Sequence, residues 1–241
     1  MSEKQLDGQT VVVIGGSSGI GLETARMARD EGAEVILTAR NPDRLQQAAL
    51  DIGAASTSAF DAGDSSRLEQ FFDELSTPID QLLLSGAGPV YVPFPEIDLD
   101  DLSRDVKAHL WLPLHVAQLA TERVRPGGSV LFIGGTGGRR PAAGPLISAM
   151  TAAMSALTRS LALEIAPVRV NLIAPGFVDT PLSATILGDQ LDARREQLRQ
   201  TLPIARVVGP EDVAALAVHL MTNTAVTAAT FDIDGGQQLV E

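Results

Sequence analysis

The chain carries few residues able to do acid–base or nucleophilic chemistry. It has no cysteine, which removes thiol catalysis, disulfides and thiolate metal sites. Its one tyrosine is Tyr91, and its lysines are Lys4 and Lys107. His109, His115 and His219 do not have the spacing of a zinc site, so no metal is expected. What the N-terminal region can do is hold phosphate. The apolar run Val11 to Ile14 enters Gly15-Gly16-Ser17-Ser18-Gly19-Ile20-Gly21, and a helix-like stretch follows. Gly15 permits a sharp turn, Gly19 leaves room for a pyrophosphate, and Gly21 allows close helix–strand packing. The helix start then presents free N–H groups and a partial positive charge. A bare strand-to-helix turn would carry the same glycines; the strand before, the helix after and the N-terminal placement favour a nucleotide. A second strand-like run ends in Leu37-Thr38-Ala39-Arg40. An NAD site usually has an acidic side chain there. Ala39 is small and uncharged, and Arg40 can pair with a 2′-phosphate, to which Ser17 and Ser18 can also donate. NADP(H) is therefore expected over NAD(H).

Short apolar runs must position this turn. Val11–Ile14, Val35–Thr38, Leu82–Leu84, Val130–Ile133 and Val168–Ile173 have the character of strands buried on both faces. Between them lie helix-like stretches at 20–31, 42–52, 65–75, 99–122, 146–165, 189–200 and 211–221. Asn41 before Pro42 reads as an N-cap with proline at the first helical position. The acidic residues Asp98 to Asp101 complement a helix N-terminus, and Asp192-Ala193-Arg194-Arg195-Glu196 reads as a solvated helix face. The alternation predicts an α/β, doubly wound fold with right-handed crossovers and one domain over 1–241. The net charge of -12, with 18 scattered Lys and Arg, argues against nucleic acid or anionic membrane as partners. The polar start Met1 to Asp7 shows no signal peptide, and no stretch approaches the apolar length needed to span a bilayer. The expectation is a cytoplasmic protein.

Several separate motifs then carry a resemblance. The GxxxGxG spacing of Gly15, Gly19 and Gly21 is one. Ser85-Gly86-Ala87-Gly88 is similar to an N-N-A-G turn, and Asp61, followed by Ala62, to an aspartate beside adenine. Val170-Asn171-Leu172-Ile173-Ala174-Pro175-Gly176-Phe177-Val178-Asp179-Thr180 is similar to R-V-N-x-I-x-P-G-x-V-x-T. Gly209 to Ala214 and Phe231 to Gly236 match two C-terminal signatures. Ile147 to Ala153 followed by Leu157 to Glu164 resembles Y-S-A-S-K-A-A followed by L-T-R-S-L-A-x-E. Together these resemble the short-chain dehydrogenase/reductase family across nearly the whole chain. The resemblance implies a Rossmann-type, seven-stranded parallel sheet flanked by helices on both faces. It implies a cofactor site at Gly15, Ser17, Ser18, Gly19, Ile20, Gly21, Arg40, Asp61, Ala62, Ser85, Gly86, Ala87, Gly88, Pro175, Gly176, Val178 and Thr180. It also implies a small substrate lid near 180–205 and a homo-dimer or homo-tetramer. The usual subunit face is formed by the helices at 99–122 and 146–165, where Ala152 to Leu157 is small and apolar.

The same resemblance exposes what is missing. The family delivers a hydride to carbon and a proton to oxygen, using Tyr as acid, Lys to tune it, Ser to orient the carbonyl and Asn to complete a water relay. Here Tyr becomes Ile147, Lys becomes Thr151, Ser falls in Gly134-Gly135-Thr136 with Gly134 as the degenerate position, and Asn becomes His109. No Tyr follows Tyr91 and no Lys follows Lys107, so a shift of register does not restore them. His109 is the best proton carrier available, since imidazole titrates near neutral pH; the alternative is a helix-face histidine filling the space of Asn. Thr136 could orient an oxygen atom, while Tyr91, among apolar neighbours, is by default a packing residue. Ser148 is expected on another side of the helix. Leu182, Ile186 and Leu187 suggest an apolar substrate face. Three readings follow. The first is an atypical NADP(H)-dependent oxidoreductase reducing an activated carbonyl, imine or conjugated alkene of a hydrophobic small molecule. The second is a non-catalytic NADP(H)-binding sensor or partner subunit, and the third a non-redox isomerase or dehydratase using His109 as base.

Overall fold

The computed structural model describes residues 4–86, 88, 92, 94–139 and 144–240. Seven strands form one parallel sheet: β1 (Thr10–Ile14), β2 (Glu34–Ala39), β3 (Ser56–Ala59), β4 (Ile79–Leu84), β5 (Val124–Ile133), β6 (Arg169–Pro175) and β7 (Thr230–Ile233). Their order is β3-β2-β1-β4-β5-β6-β7. Every pairing is parallel, as in Val12 opposite Ile36 on one side and Leu82 on the other. The order reverses between β1 and β4, so the loops leaving their carboxyl ends diverge and open a crevice.

Alternation along the strands separates two apolar layers. Val12, Leu82, Val130 and Val170 face α3 (Ser65–Glu74), α5 (Leu112–Arg123) and α6 (Pro145–Glu164), where Phe72, Val116 and Leu161 meet them. Val11, Val13, Leu83 and Leu131 face α1 (Gly19–Asp30), α2 (Pro42–Ile52) and α9 (Pro210–Thr222), against Ala25, Leu45 and Val213. Burying each large side chain contributes about 1.5–3 kcal/mol, so the central strands must read as unbroken apolar runs. The helix caps follow the sequence. Asn41 accepts from the Arg44 amide at 2.9 Å ahead of Pro42, and Asp98 accepts from the Asp101 amide at 2.7 Å at the head of α4 (Leu99–Val106).

Two expectations change, and two features lay outside them. The segment 99–122 is not one continuous helix: between α4 and α5, Lys107–Trp111 forms a wide turn in which the Leu112 amide bonds the Lys107 carbonyl five residues back. Pro113 accounts for it, having no N–H to give and a ring that crowds the carbonyl four residues earlier. The edge strands β3 and β7 lack a buried apolar run; β3 is Ser-Thr-Ser-Ala and largely exposed. A seven-residue helix, α7 (Pro181–Leu187), precedes α8 (Leu191–Thr201), started by Thr180 and Ser183 capping each other. Finally, α6 does reach membrane-spanning length and composition, with mean hydropathy 1.3, alone among the described helices. Its alanines and leucines produce that value, and the helix packs against β6 and the turn that follows β5.

Candidate functional site

Because the strands are parallel, every loop named from the sequence leaves the same edge of the sheet. Gly15 has φ +87°, and a methyl group there would lie 2.2 Å from the Ser85 carbonyl oxygen. The Ser85 amide in turn donates to the Ile14 carbonyl at 2.9 Å, tying the ends of β1 and β4 together. A methyl group on Gly21 would lie 2.2 Å from the Gly15 carbonyl, so helix and turn meet backbone to backbone. The amides of Gly15 and Gly16 both donate to the Thr38 carbonyl, at 2.9 and 3.0 Å. The anion-binding capacity therefore falls to the amides that follow, through Ser17, Ser18, Gly19, Ile20 and Gly21. Ser18 is the N-cap of α1 but its side chain makes no capping bond, so the positive end of the helix is not closed by a side chain. These features fit the phosphates of a dinucleotide.

Arg40 stands exposed at the end of β2, directly beyond Ala39. Asp61 accepts from the Gly63 amide at 2.9 Å, and Ala62 between them packs against the core. Gly88, after β4, meets α7: a methyl group there would lie 3.0 Å from Leu182 Cδ2. Gly86 is exposed, with open space where a side chain would be. Ala87 and Tyr91 lie outside the described residues. After β6, Pro175, Gly176 and Val178 lead to Thr180, whose methyl is 3.4 Å from where a Gly19 side chain would begin. The phosphate turn and the segment after β6 thus close on each other.

Two groups that the sequence did not point to hold this second segment. Gln237 is buried, and its Oε1 accepts from the Phe177 amide at 2.7 Å. Asp179 receives both Nε and Nη2 of Arg195 in α8, at 2.9 and 2.7 Å. Hydrogen bonds to Asp179 and Asp192 raise the Arg195 guanidinium above its ordinary value. Arg195 therefore leaves the solvated helix face expected of it. The planar fork of arginine opposite an aspartate on an adjoining loop was the available signal.

The other half of the site lies between the wide turn and α6. His109 Nδ1 is 3.0 Å from the Asp105 carbonyl oxygen and 3.3 Å from Asp105 Oδ1. The Asp105 side chain is 1% exposed and that of His109 17%. The turn carrying His109 packs on α6, the helix of Ile147 and Thr151. Ile147 is buried. The Thr151 hydroxyl donates to the Ile147 carbonyl at 2.7 Å, so it is committed to its own helix. Gly134 lies against Leu172, while Gly135 and Gly138 press on Thr151 and Ala152. Ser148 does not face away from this group: its hydroxyl donates to the Gly137 carbonyl at 3.2 Å. Thr136 is 1% exposed, and its hydroxyl has no hydrogen-bond partner among the described residues. His115 sits apart, its Nε2 3.1 Å from Glu69. Among the described residues no cluster of His, Asp and Glu could hold a metal ion.

Fold and site together define a nicotinamide-dinucleotide oxidoreductase scaffold, and comparison with known proteins agrees. The family described as enoyl-(acyl carrier protein) reductase matches residues 14–238. The chain is 28% identical to the short-chain dehydrogenase/reductase malC of Malbranchea aurantiaca, over 99% of this chain and 97% of that protein. It is 31% identical to the cyclic-di-GMP-binding biofilm dispersal mediator protein of Escherichia coli (strain K12), over 95% and 96%. The solved structure of the MalC reductase/Diels-Alderase superimposes with TM-score 0.89 at 27% identity, covering 100% of both chains. BdcA in complex with NADPH superimposes with TM-score 0.85 at 29% identity, covering 96% and 95%. The chain belongs to the short-chain dehydrogenase/reductase family.

Proposed function

We propose that this protein is an NADP(H)-dependent oxidoreductase that reduces an activated carbonyl, imine or conjugated alkene of a hydrophobic small molecule without the family's tyrosine and lysine. The observation that carries the reading is a split within the site. The backbone cradle at the end of β1 fits a dinucleotide, while Ile147 is buried and the Thr151 hydroxyl is bound to its own helix. The NADPH found in the related BdcA structure and the reductase named in the MalC structure support both cofactor and reaction class.

On this reading the amides from Ser17 to Gly21 hold the pyrophosphate, and Arg40 with Ser17 and Ser18 holds the 2′-phosphate. Asp61 and Ala62 border the adenine. Ser85 to Gly88, together with Pro175, Gly176, Val178 and Thr180, border the nicotinamide half. The cofactor, when bound, supplies the hydride. His109 supplies the proton to the oxygen or nitrogen that gains charge, and Thr136 orients that atom. Leu182 and Ile186, both partly exposed on α7, offer the substrate an apolar lid. The chain works as one domain, as a homo-dimer or homo-tetramer in the cytoplasm, with no nucleic acid or membrane as partner.

The test is NADPH oxidation against quinones, activated ketones, enones and imines, with NADH in parallel. Turnover with NADPH is expected; tighter binding of NADH would overturn the cofactor assignment. The second reading, a non-catalytic NADP(H)-binding sensor or partner subunit, rests on the same inert pair, Ile147 and Thr151. Tight NADPH binding with no turnover across the panel would establish it. Proton exchange or water loss from a substrate without NADPH consumption would instead favour an isomerase or dehydratase using His109.

A further inference from the structure

We propose that Asp105 is the positioning residue for His109, and that the pair forms a relocated proton-delivery unit built into the wide turn between α4 and α5. This rests on His109 as the proton source for the reduction. Both acceptor atoms of Asp105 lie on the same side of the imidazole: the carbonyl oxygen at 3.0 Å and Oδ1 at 3.3 Å from Nδ1. A carbonyl oxygen can only accept, so Nδ1 must carry a hydrogen. In neutral His109 this fixes the tautomer as Nδ1–H and makes Nε2, on the far edge of the ring, the basic atom. When Nε2 gains its proton, the ring becomes a cation next to a carboxylate that is 1% exposed, where water screens the attraction least.

Among the described residues, Asp105 is the carboxylate that the His109 ring meets. On α4, Asp101 pairs with Arg104. On α5, His115 turns to Glu69 and Arg123 to Asp73. The charged residues of α6 are Arg159 and Glu164, both exposed, and Lys107 is the other charged residue of the wide turn. Wide turns of this kind concentrate at functional sites, and here the turn carries the histidine itself. In the reaction, NADPH is oxidised to NADP+ as its hydride reaches the carbonyl or imine carbon, or the β-carbon of a conjugated alkene, and the Nε2 proton passes to the oxygen or nitrogen that gains charge. The new C–H and O–H (or N–H) bonds replace the substrate π bond. Neutral Nδ1–H imidazole remains, and solvent restores the Nε2 proton.

The test is long-range proton–nitrogen NMR on the full chain labelled with 15N-histidine, the His109 signals being assigned by their loss in His109→Gln. The expected result is a neutral His109 protonated on Nδ1 and bare on Nε2; an Nε2–H tautomer overturns the proposal without any activity assay. Asp105→Asn keeps the side-chain shape and removes the charge. In Asp105→Asn the Nδ1–H tautomer of His109 is expected to lose its dominance, with an Nε2–H form appearing in the same spectra. With an accepted substrate, kcat is expected to fall roughly 10-fold or more, with KM little changed. An unchanged tautomer population and unchanged kcat overturn the proposal. If Asp105→Asn does not fold, the wild-type tautomer can still overturn the proposal, and Asp105→Ser repeats the tautomer and kcat comparison. If the tautomer and its response to Asp105→Asn are as expected but no acceptor oxidises NADPH, the reductase reading fails and the Asp105–His109 pair stands. If turnover survives His109→Gln, the pair is removed from the mechanism.

Discussion

The two halves of the site are made of different material. The half at the ends of β1 and β4 is built from main chain: the Ser85 and Gly15 carbonyls occupy the space where side chains at Gly15 and Gly21 would stand. The half between the wide turn and α6 is built from side chains, Ile147, Thr151 and His109 among them. Main-chain geometry leaves few substitutions open, because any added carbon meets backbone that cannot rotate away. Side-chain chemistry can move to another element, provided something holds the new group in place. The main-chain half therefore tolerates less change than the side-chain half beside it.

The comparison can be broken most sharply at Gly15. Gly15→Val places a branched side chain at φ +87° against the Ser85 carbonyl. It should cost about 3 kcal/mol or more in stability and abolish NADPH binding, read by thermal unfolding and by fluorescence titration. Unaltered binding would mean that the cradle is not held by main-chain contact. Next is Arg40→Glu, which should weaken NADPH by roughly 10- to 100-fold through loss of a charge-assisted pair and leave NADH nearly unchanged. Equal weakening of both cofactors would separate Arg40 from the 2′-phosphate.

A smaller effect is expected at the joint below the lid. Arg206 takes both oxygens of Asp212 in its fork. Its hydrogen bonds hold the Asp212 carboxyl below its ordinary value. A carboxyl lowered by folding stabilises the fold above its unfolded value near 3.9 and loses that contribution as pH falls through the lowered value. The difference in Tm between wild type and Arg206→Met should therefore be present at neutral pH and shrink on acidification below about pH 4. A difference that grows in acid would refute the pairing. The smallest effect belongs to Thr151→Val. Its hydroxyl serves only its own helix among the described residues, so kcat should change less than about twofold, a barrier difference under about 0.5 kcal/mol. A large loss would return Thr151 to the chemistry and collapse the contrast between the halves.

What the sequence disclosed follows the same division. The central strands were readable because Val11 to Ile14 and Leu82 to Leu84 are buried on both faces. The edge strands were not: β3 pairs with β2 alone, and its Ser-Thr-Ser-Ala has no layer to fill. The glycines of the cradle were legible, since a left-handed turn and a close approach demand them. Gln237 escaped notice because its reach across 60 residues leaves no periodic trace, and Arg195 was read as solvated because its partner Asp179 stands 16 residues away. α7 left a local one, Thr180-Pro181 followed by Ser183, which is a helix start. The wide turn likewise had its sign in Pro113, an imino acid inside an apparently continuous helix.

That turn changes how the helix before it is phased. One additional residue in a turn rotates everything upstream by about 100° relative to everything downstream. Faces that look continuous from α4 through α5 on ordinary helical counting are thus different faces in space. A single-residue deletion within Lys107–Trp111 would let the helix wind regularly and turn α4 by about a quarter of its circumference. For a deletion at Leu110 or Trp111, Asp105 and His109 both lie upstream of the change and would swing together away from their present line to α6. The spacing of one proline thus sets the compass bearing of the histidine.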